Sequence, residues 1–148
     1  MNKKPELSTQ KKIFFFREQV SGYPPEEWES MWAKQISDRV FQLDNIPFFA
    51  INVSFNDKIV AELINDQFIF DKVLEKSDNS TIRIFVKDIN EVDTIWGKLS
   101  EIECEMEKSG IAGLIAVNVP KASMALFNAT IEIYIKSGKI EVEVGVLR

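Results

Sequence analysis

Short runs rich in β-branched and aromatic residues, separated by polar turn pairs, fill the first half of the chain. Residues 11–17, 29–36, 39–43, 58–64 and 68–74 each have this texture and predict short strands. Between them lie Ser37-Asp38, Asn56-Asp57 and Asn65-Asp66, pairs whose side chains favour turns. Strands of this length and spacing predict a small twisted barrel or a strongly bent sheet.

The second half has sharper periodicities. Ile82, Ile84 and Val86 alternate with Arg83, Phe85 and Lys87, which predicts a strand with one face buried. Asp88 and Glu91 have the spacing of a capping pair, and Ile89, Val92, Ile95, Trp96, Leu99 and Ile102 then recur at helical intervals. Residues 101–107 switch to strict alternation of glutamate with Ile102, Cys104 and Met106, which predicts an edge strand with an acidic and an apolar face. Residues 114–119 are almost wholly apolar and suit a central strand that breaks at Pro120. Met124, Phe127, Ile131 and Tyr134 or Ile135 mark a second helix, stopped by Gly138. Ile140, Val142 and Val144 alternate with Glu141, Glu143 and Gly145 in a last strand.

The fold class expected is therefore α+β: a small bent β-sheet or barrel followed by a β-α-β-β-α-β unit of ferredoxin-like type. Residues 1–10 are expected to be loosely ordered, 11–76 to form the β-rich unit and 77–148 the ferredoxin-like one, with the boundary in the polar cluster at 76–80. By analogy with that fold the sheet order is 4-1-3-2, which sets Glu141 and Glu143 beside Arg83 and Lys87. It leaves Glu103, Glu105 and Glu107 less compensated at the opposite edge.

Composition narrows the chemistry. The chain has 148 residues, 45% hydrophobic and 28% charged, a balance that supports a packed core. The net charge of -5 is spread along the chain, so a phosphate backbone is a poor partner and a basic protein surface a better one. The N-terminal apolar run at 13–16 is too short for a signal-peptide core or a membrane span, and Cys104 is the only cysteine. A cytoplasmic protein that does not use a membrane is expected.

Histidine is absent from the sequence, and with it the usual general base at neutral pH and the commonest transition-metal ligand. No phosphate-cradling glycine pattern occurs, and Gly110-Ile111-Ala112-Gly113 reads as a turn before a strand. Alternating strand glutamates suggest a solvated face more than a catalytic carboxylate pair. Cys104 points to the apolar side and reads as a packed thiol. No catalytic residue, metal site or cofactor is expected, and the chain reads as a non-enzyme.

Among the aromatics, Trp28 and Trp32 are expected in the core. Phe48 and Phe49 follow Pro47 directly and cannot both point inward from a simple strand, which suggests that they cap the junction between the two halves or line a groove. An RNA-recognition module shares the predicted element order, but its open face carries stacking aromatics amid basic residues. Here Phe85 stands alone among glutamates, so nucleic acid is not expected.

The chain also resembles a known family. The resemblance rests on Trp28-Glu29-Ser30-Met31-Trp32, Leu43-Asp44-Asn45-Ile46-Pro47-Phe48-Phe49-Ala50, Ser80-Thr81-Ile82-Arg83, Gly110-Ile111-Ala112-Gly113-Leu114-Ile115-Ala116-Val117 and Leu147-Arg148. These are similar to a bacterial domain of unknown function, DUF4265, and cover nearly the whole chain. The resemblance implies no established activity. Family members often carry Gly-Asp where this chain has Asn56-Asp57 and a histidine where it has Asn79; a catalytic histidine in relatives would leave this chain impaired, whereas a turn or hydrogen-bonding one would pass to Asn79 without loss.

These readings lead to a binding protein, most concretely an inhibitor such as an immunity protein that covers the active site of a basic bacterial toxin. The expected partner surface is Glu103, Glu105, Glu107, Glu141 and Glu143, with Phe48 and Phe49 at the junction. A small-molecule-binding or regulatory module and a homo-oligomeric structural subunit are the alternatives.

Overall fold

The computed structural model describes residues 10–148. The loosely ordered N-terminus expected at 1–10 thus falls outside the described residues except for Gln10, which opens the first strand.

Strands β1 (Gln10–Phe16), β2 (Trp28–Gln35), β3 (Val40–Leu43), β4 (Lys58–Ile64) and β5 (Gln67–Glu75) form a closed barrel in that order. Consecutive neighbours are antiparallel. An odd number of such strands can close only if the first and last run the same way, and β1 does pair parallel with β5, Ile13 opposite Phe68 and Phe14 opposite Ile69. Register shifts between β4 and β5, at Lys58/Ile59 and Val60/Ala61, supply the bend that closure needs. The β4–β5 hairpin turns on Asn65 and Asp66, both at positive φ (50 and 65), the backbone of a type I′ turn. Inside, Ile13, Phe15, Met31, Phe41, Leu43 and Ile59 make the barrel core. Full burial of Phe41 or Leu43 contributes about 1.5–3 kcal/mol each.

Trp28 and Trp32 correct the expectation of burial: they face outward, 50% and 46% exposed. Alternation in β2 gives the inward positions to Glu29, Met31 and Ala33. Trp28 instead packs edge-on against Phe16 at 5.3 Å, and Lys12 lies over the Trp32 ring at 5.4 Å.

The second half contains β6 (Asn79–Val86), α1 (Val92–Glu101), β7 (Glu105–Lys108), β8 (Leu114–Pro120), α2 (Met124–Lys136) and β9 (Ile140–Val146). They build a four-stranded antiparallel sheet in the order β9-β6-β8-β7. Ile95 and Leu99 of α1 and Phe127 and Ile131 of α2 pack with Ile82, Ile84 and Val86 on one face of it. Gly138, at φ +74, ends α2 in the left-handed conformation that a helix terminus favours. No helix among the described residues is long and apolar enough to cross a membrane.

Two local expectations change. The predicted edge strand at 101–107 is the end of α1, a turn and a shorter strand. Glu103 sits at φ 62, with its N–H donating to Ser100 O and that of Cys104 to Leu99 O. Helix end and strand each send Ile102, Cys104 and Met106 toward the same core, so the alternation was a true signal of facing and a false one of backbone. Burial pushes the Cys104 thiol pKa up. Asp88 does cap, but its carboxylate accepts from the Asn90 N–H at the start of a single 3-10 turn, while Glu91 pairs with Lys139 at 3.2 Å.

Candidate functional site

The barrel stands on the sheet face opposite the helices, and buried polar groups join the two. Arg83 projects from β6 toward the barrel and is 1% exposed. Its Nε and Nη2 donate to Glu143 Oε1 of β9 at 3.1 and 2.9 Å. Its Nη1 donates to Ala50 O (2.9 Å) and Pro47 O (3.4 Å), and Nη2 also to Phe49 O (3.3 Å). Arg17, just beyond β1, donates to Phe49 O at 2.9 Å and to Glu143 Oε2 at 3.1 Å. From the other side, Glu29 of β2 accepts the N–H groups of Phe48, Phe49 and Ala50 at 2.7–3.0 Å. Residues 47–50 are thus held by a carboxylate on their N–H groups and by two guanidinium groups on their carbonyls.

Burial alone would raise the Glu143 carboxyl, but hydrogen bonds and positive charge from Arg17 and Arg83 outweigh it and hold the pKa below the usual carboxylate range. Tyr23 donates a hydrogen bond to Glu143 Oε1 at 3.4 Å, and burial followed by the Glu143 charge raises its phenol. Gly145, inside β9, is needed here: a Cβ would run into the Arg83 guanidinium.

A cleft of about 540 Å³ opens beside this clamp. Phe85 and Arg83 of β6, Leu114 of β8 and Glu141 to Glu143 of β9 line it, together with Ile111 from the β7–β8 loop and Gly22, Tyr23 and Pro25 from the 17–27 loop. That loop is a wall because it is tied to itself. Val20 and Tyr23 exchange backbone hydrogen bonds around Ser21 and Gly22, both at positive φ, and Gln19 Nε2 donates to Pro24 O and Pro25 O.

The residues expected to form the acidic partner surface are divided between the two edges of the sheet, as the expected strand order requires. Glu105 and Glu107 lie on β7 and Glu141 and Glu143 on β9, the opposite edges of the sheet, about 14 Å apart at one strand spacing per step. Glu143 is neutralised by the two arginines. Glu103 lies in the turn before β7, and Glu107 accepts from the Ile46 N–H at 3.3 Å. Glu105 and Glu141 remain exposed, Glu141 with Lys87 at 3.8 Å. Phe48 and Phe49 are half-buried in the junction segment, where the Phe49 ring meets Tyr23 edge-on at 5.9 Å.

Glu107 has the opposite titration to Glu143. Burial raises its pKa, aided by the charges of Glu29 and Asp44, against the hydrogen bonds from Ile46 and Asn45. A raised folded-state value means that its contribution to stability is present below the unfolded pKa and is lost as pH rises through the folded one. Glu107→Gln is therefore expected to raise the melting temperature near neutral pH, with a gain that shrinks toward acid. Melting curves across pH check this, and a pH-independent gain would contradict it.

Sequence reasoning missed the clamp. Arg17, Tyr23 and Glu29 were not singled out, and Arg83 was placed on a solvated face. Glu29 alternating with buried Met31 and Ala33, and Gly145 within a strand, were the available signals. Asn79 proves to be a bridge: Nδ2 donates to Phe55 O at 3.1 Å and Oδ1 accepts from Asn118 at 3.2 Å, tying barrel to sheet. Among the described residues no cluster of three or more metal-ligating side chains occurs.

No curated protein matches the chain. Among solved structures it is similar to a hypothetical protein from Neisseria gonorrhoeae, at TM-score 0.80 and 22% identity over 93% of this chain and 95% of that one. That likeness is one of fold. A family model of a domain of unknown function matches residues 29–141, a span that includes Glu29, residues 47–50, Arg83 and half of the cleft lining; the chain belongs to the DUF4265 family.

Proposed function

We propose that this chain is a non-enzymatic binding protein that holds a segment of another protein in the cleft between the 17–27 loop and the open sheet face, as an inhibitor or immunity protein covering a toxin would. The observation that carries this reading is how the cleft divides its groups. Arg83 and Glu143 on the floor spend their hydrogen bonds on the fold, so what faces the opening is Tyr23, Pro25, Phe85, Ile111 and Leu114, with exposed Glu141 at the rim. Such a lining recognises by apolar area and shape, with charge setting orientation. The net charge of -5 supports a basic partner, the histidine-free sequence a role without acid-base chemistry, and the single cysteine a cytoplasmic setting. We read the C-terminal half as a ferredoxin-like unit, a reading supported by its element order and by both helices packing on one face.

Peptides selected from a random displayed library against the full chain test this. They are expected to bind the protein and to lose about tenfold or more in affinity to Phe85→Lys or Ile111→Glu, each of which puts a charge into the apolar lining. Selected peptides indifferent to both variants, or a selection that enriches none, would overturn the reading. The cleft volume favours one second reading, since about 540 Å³ lies within the range of metabolite sites. A thermal shift with a metabolite panel, lost in the same variants, would distinguish it.

A further inference from the structure

We infer that β9 is the docking edge for an extended partner segment in which basic and apolar residues alternate, and that one basic side chain of that segment enters the cleft at Glu141. The inference rests on the binding reading above and names how the segment is held.

β9 lies at the edge of the sheet, with β6 on its inner side. Among the described residues, the backbone contact on the outer side of β9 is the Asn52 N–H donating to Gly145 O at 3.0 Å, near the strand's far end. Antiparallel pairing turns the N–H and C=O groups of alternate residues away from the partner strand, so residues 140–144 present a row of these groups outward. Such an edge recruits other strands unless its side chains forbid them.

The side chains select among candidates. Val142 and Val144 lie on the helix face of β9 with much of their surface open, and Glu141 and Glu143 alternate with them on the cleft face. A second copy of β9 paired antiparallel about Val142 would set Glu141 opposite Glu143, a carboxylate already held by Arg17 and Arg83, and so would bring Glu141 no free cation. A strand with apolar residues opposite the valines and lysine or arginine opposite Glu141 brings one. Glu143 already has two arginines, whereas the Glu141 side chain is 71% exposed with an exposed lysine at 3.8 Å. Glu141 is the position where a new cation gains most. It also lines the cleft with Tyr23 and Phe85, so a long cationic side chain that reaches Glu141 from the outer edge meets aromatic rings in the same cleft.

A synthetic heptapeptide of alternating valine and lysine, titrated into the full 15N-labelled chain, tests this. Amide shifts are expected at residues 140–144, Tyr23 and Phe85, with affinity about tenfold above that of the peptide carrying glutamate for lysine. Strand addition uses alternate peptide amides, so N-methylation of one alternate set should weaken binding about tenfold or more while the other set is tolerated. Glu141→Lys, at an exposed side chain, should reverse the charge preference. Shifts elsewhere, equal affinity for both peptides, or indifference to both methylated sets would overturn the inference. If library-selected peptides bind the cleft while this peptide does not, strand addition falls and the binding reading stands; if neither binds, both fall.

Discussion

Replacing Arg83 by methionine should cost about 3 kcal/mol of unfolding free energy, the lower end of the range for removing one partner of a buried ion pair, because Glu143 keeps Arg17 and some solvent. Methionine fills similar space, so the loss is one of hydrogen bonds: the Pro47 and Ala50 carbonyls lose their Arg83 donor, and Phe49 O keeps Arg17. Arg83→Lys retains the charge but not the planar fork that reaches Glu143 and the 47–50 carbonyls together, and should fall between methionine and wild type. Arg17→Met, at a more exposed guanidinium, should cost clearly less. A cycle of Arg83→Met with Glu143→Gln separates their coupling from other losses. The pH dependence has a fixed sign. Because the folded-state pKa of Glu143 is lowered, its contribution is present above the unfolded carboxylate value and is lost as pH falls through the folded value. The cost of Arg83→Met should therefore shrink as pH falls through that window. Urea unfolding across pH measures all of this; a loss no larger than that of Arg17→Met would show that the clamp does not hold the two halves together.

The elements were legible because facing is written locally. Thr81 to Lys87 alternates, and the structure keeps Ile82, Ile84 and Val86 in the core and pairs Arg83 with Glu143, as alternation and strand order require. The turn chemistry of Asn65-Asp66 likewise acts within a few residues. What alternation cannot say is what covers the second face. Arg83 and Glu143 look solvated along the sequence, yet residues 47–50, some 36 positions before Arg83, lie over them. Glu107 and Glu143 leave the acidic surface for that reason: the open sheet face was read as uncovered, and the Ile46 N–H and the two arginines occupy these carboxylates. The same blindness placed Trp28 and Trp32 inside, since hydrophobicity was read without the Glu29-Met31-Ala33 row that holds the interior positions. Residues 101–107 failed differently, because the end of an amphipathic helix and a short strand can turn the same apolar side chains toward one core.

Asp57→Ala should produce the largest single loss of stability, about 3–5 kcal/mol, at a carboxylate that is 0% exposed. Arg148 meets it through two parallel bonds, Nη1 to Oδ1 at 2.8 Å and Nη2 to Oδ2 at 2.7 Å, and the Ser54 and Ser77 N–H groups donate to it as well. Removing the carboxylate leaves a guanidinium of 8% side-chain exposure with the Nη1 bond to Ser77 O at 2.8 Å, its Nε already lacking an acceptor among the described residues, and strands two backbone donors. The converse variant, Arg148→Ala, leaves Asp57 with both N–H donors and opens space for water, so it should cost less. Proximity alone would make the two losses equal, and the hydrogen-bond inventory makes them unequal. Salt adds a second discrimination, since a buried pair is weakly screened whereas the exposed Lys136–Glu132 pair on α2 should fade in salt. Equilibrium unfolding of both variants at low and high salt measures this. Asp57 comes from the turn before β4 and Arg148 follows β9, so the pair fastens barrel to sheet away from the cleft. Asp57→Ala should therefore loosen the junction as a whole, and Arg83 with it, so that the loss in the Asp57→Ala, Arg83→Met double variant falls short of the sum of the single losses.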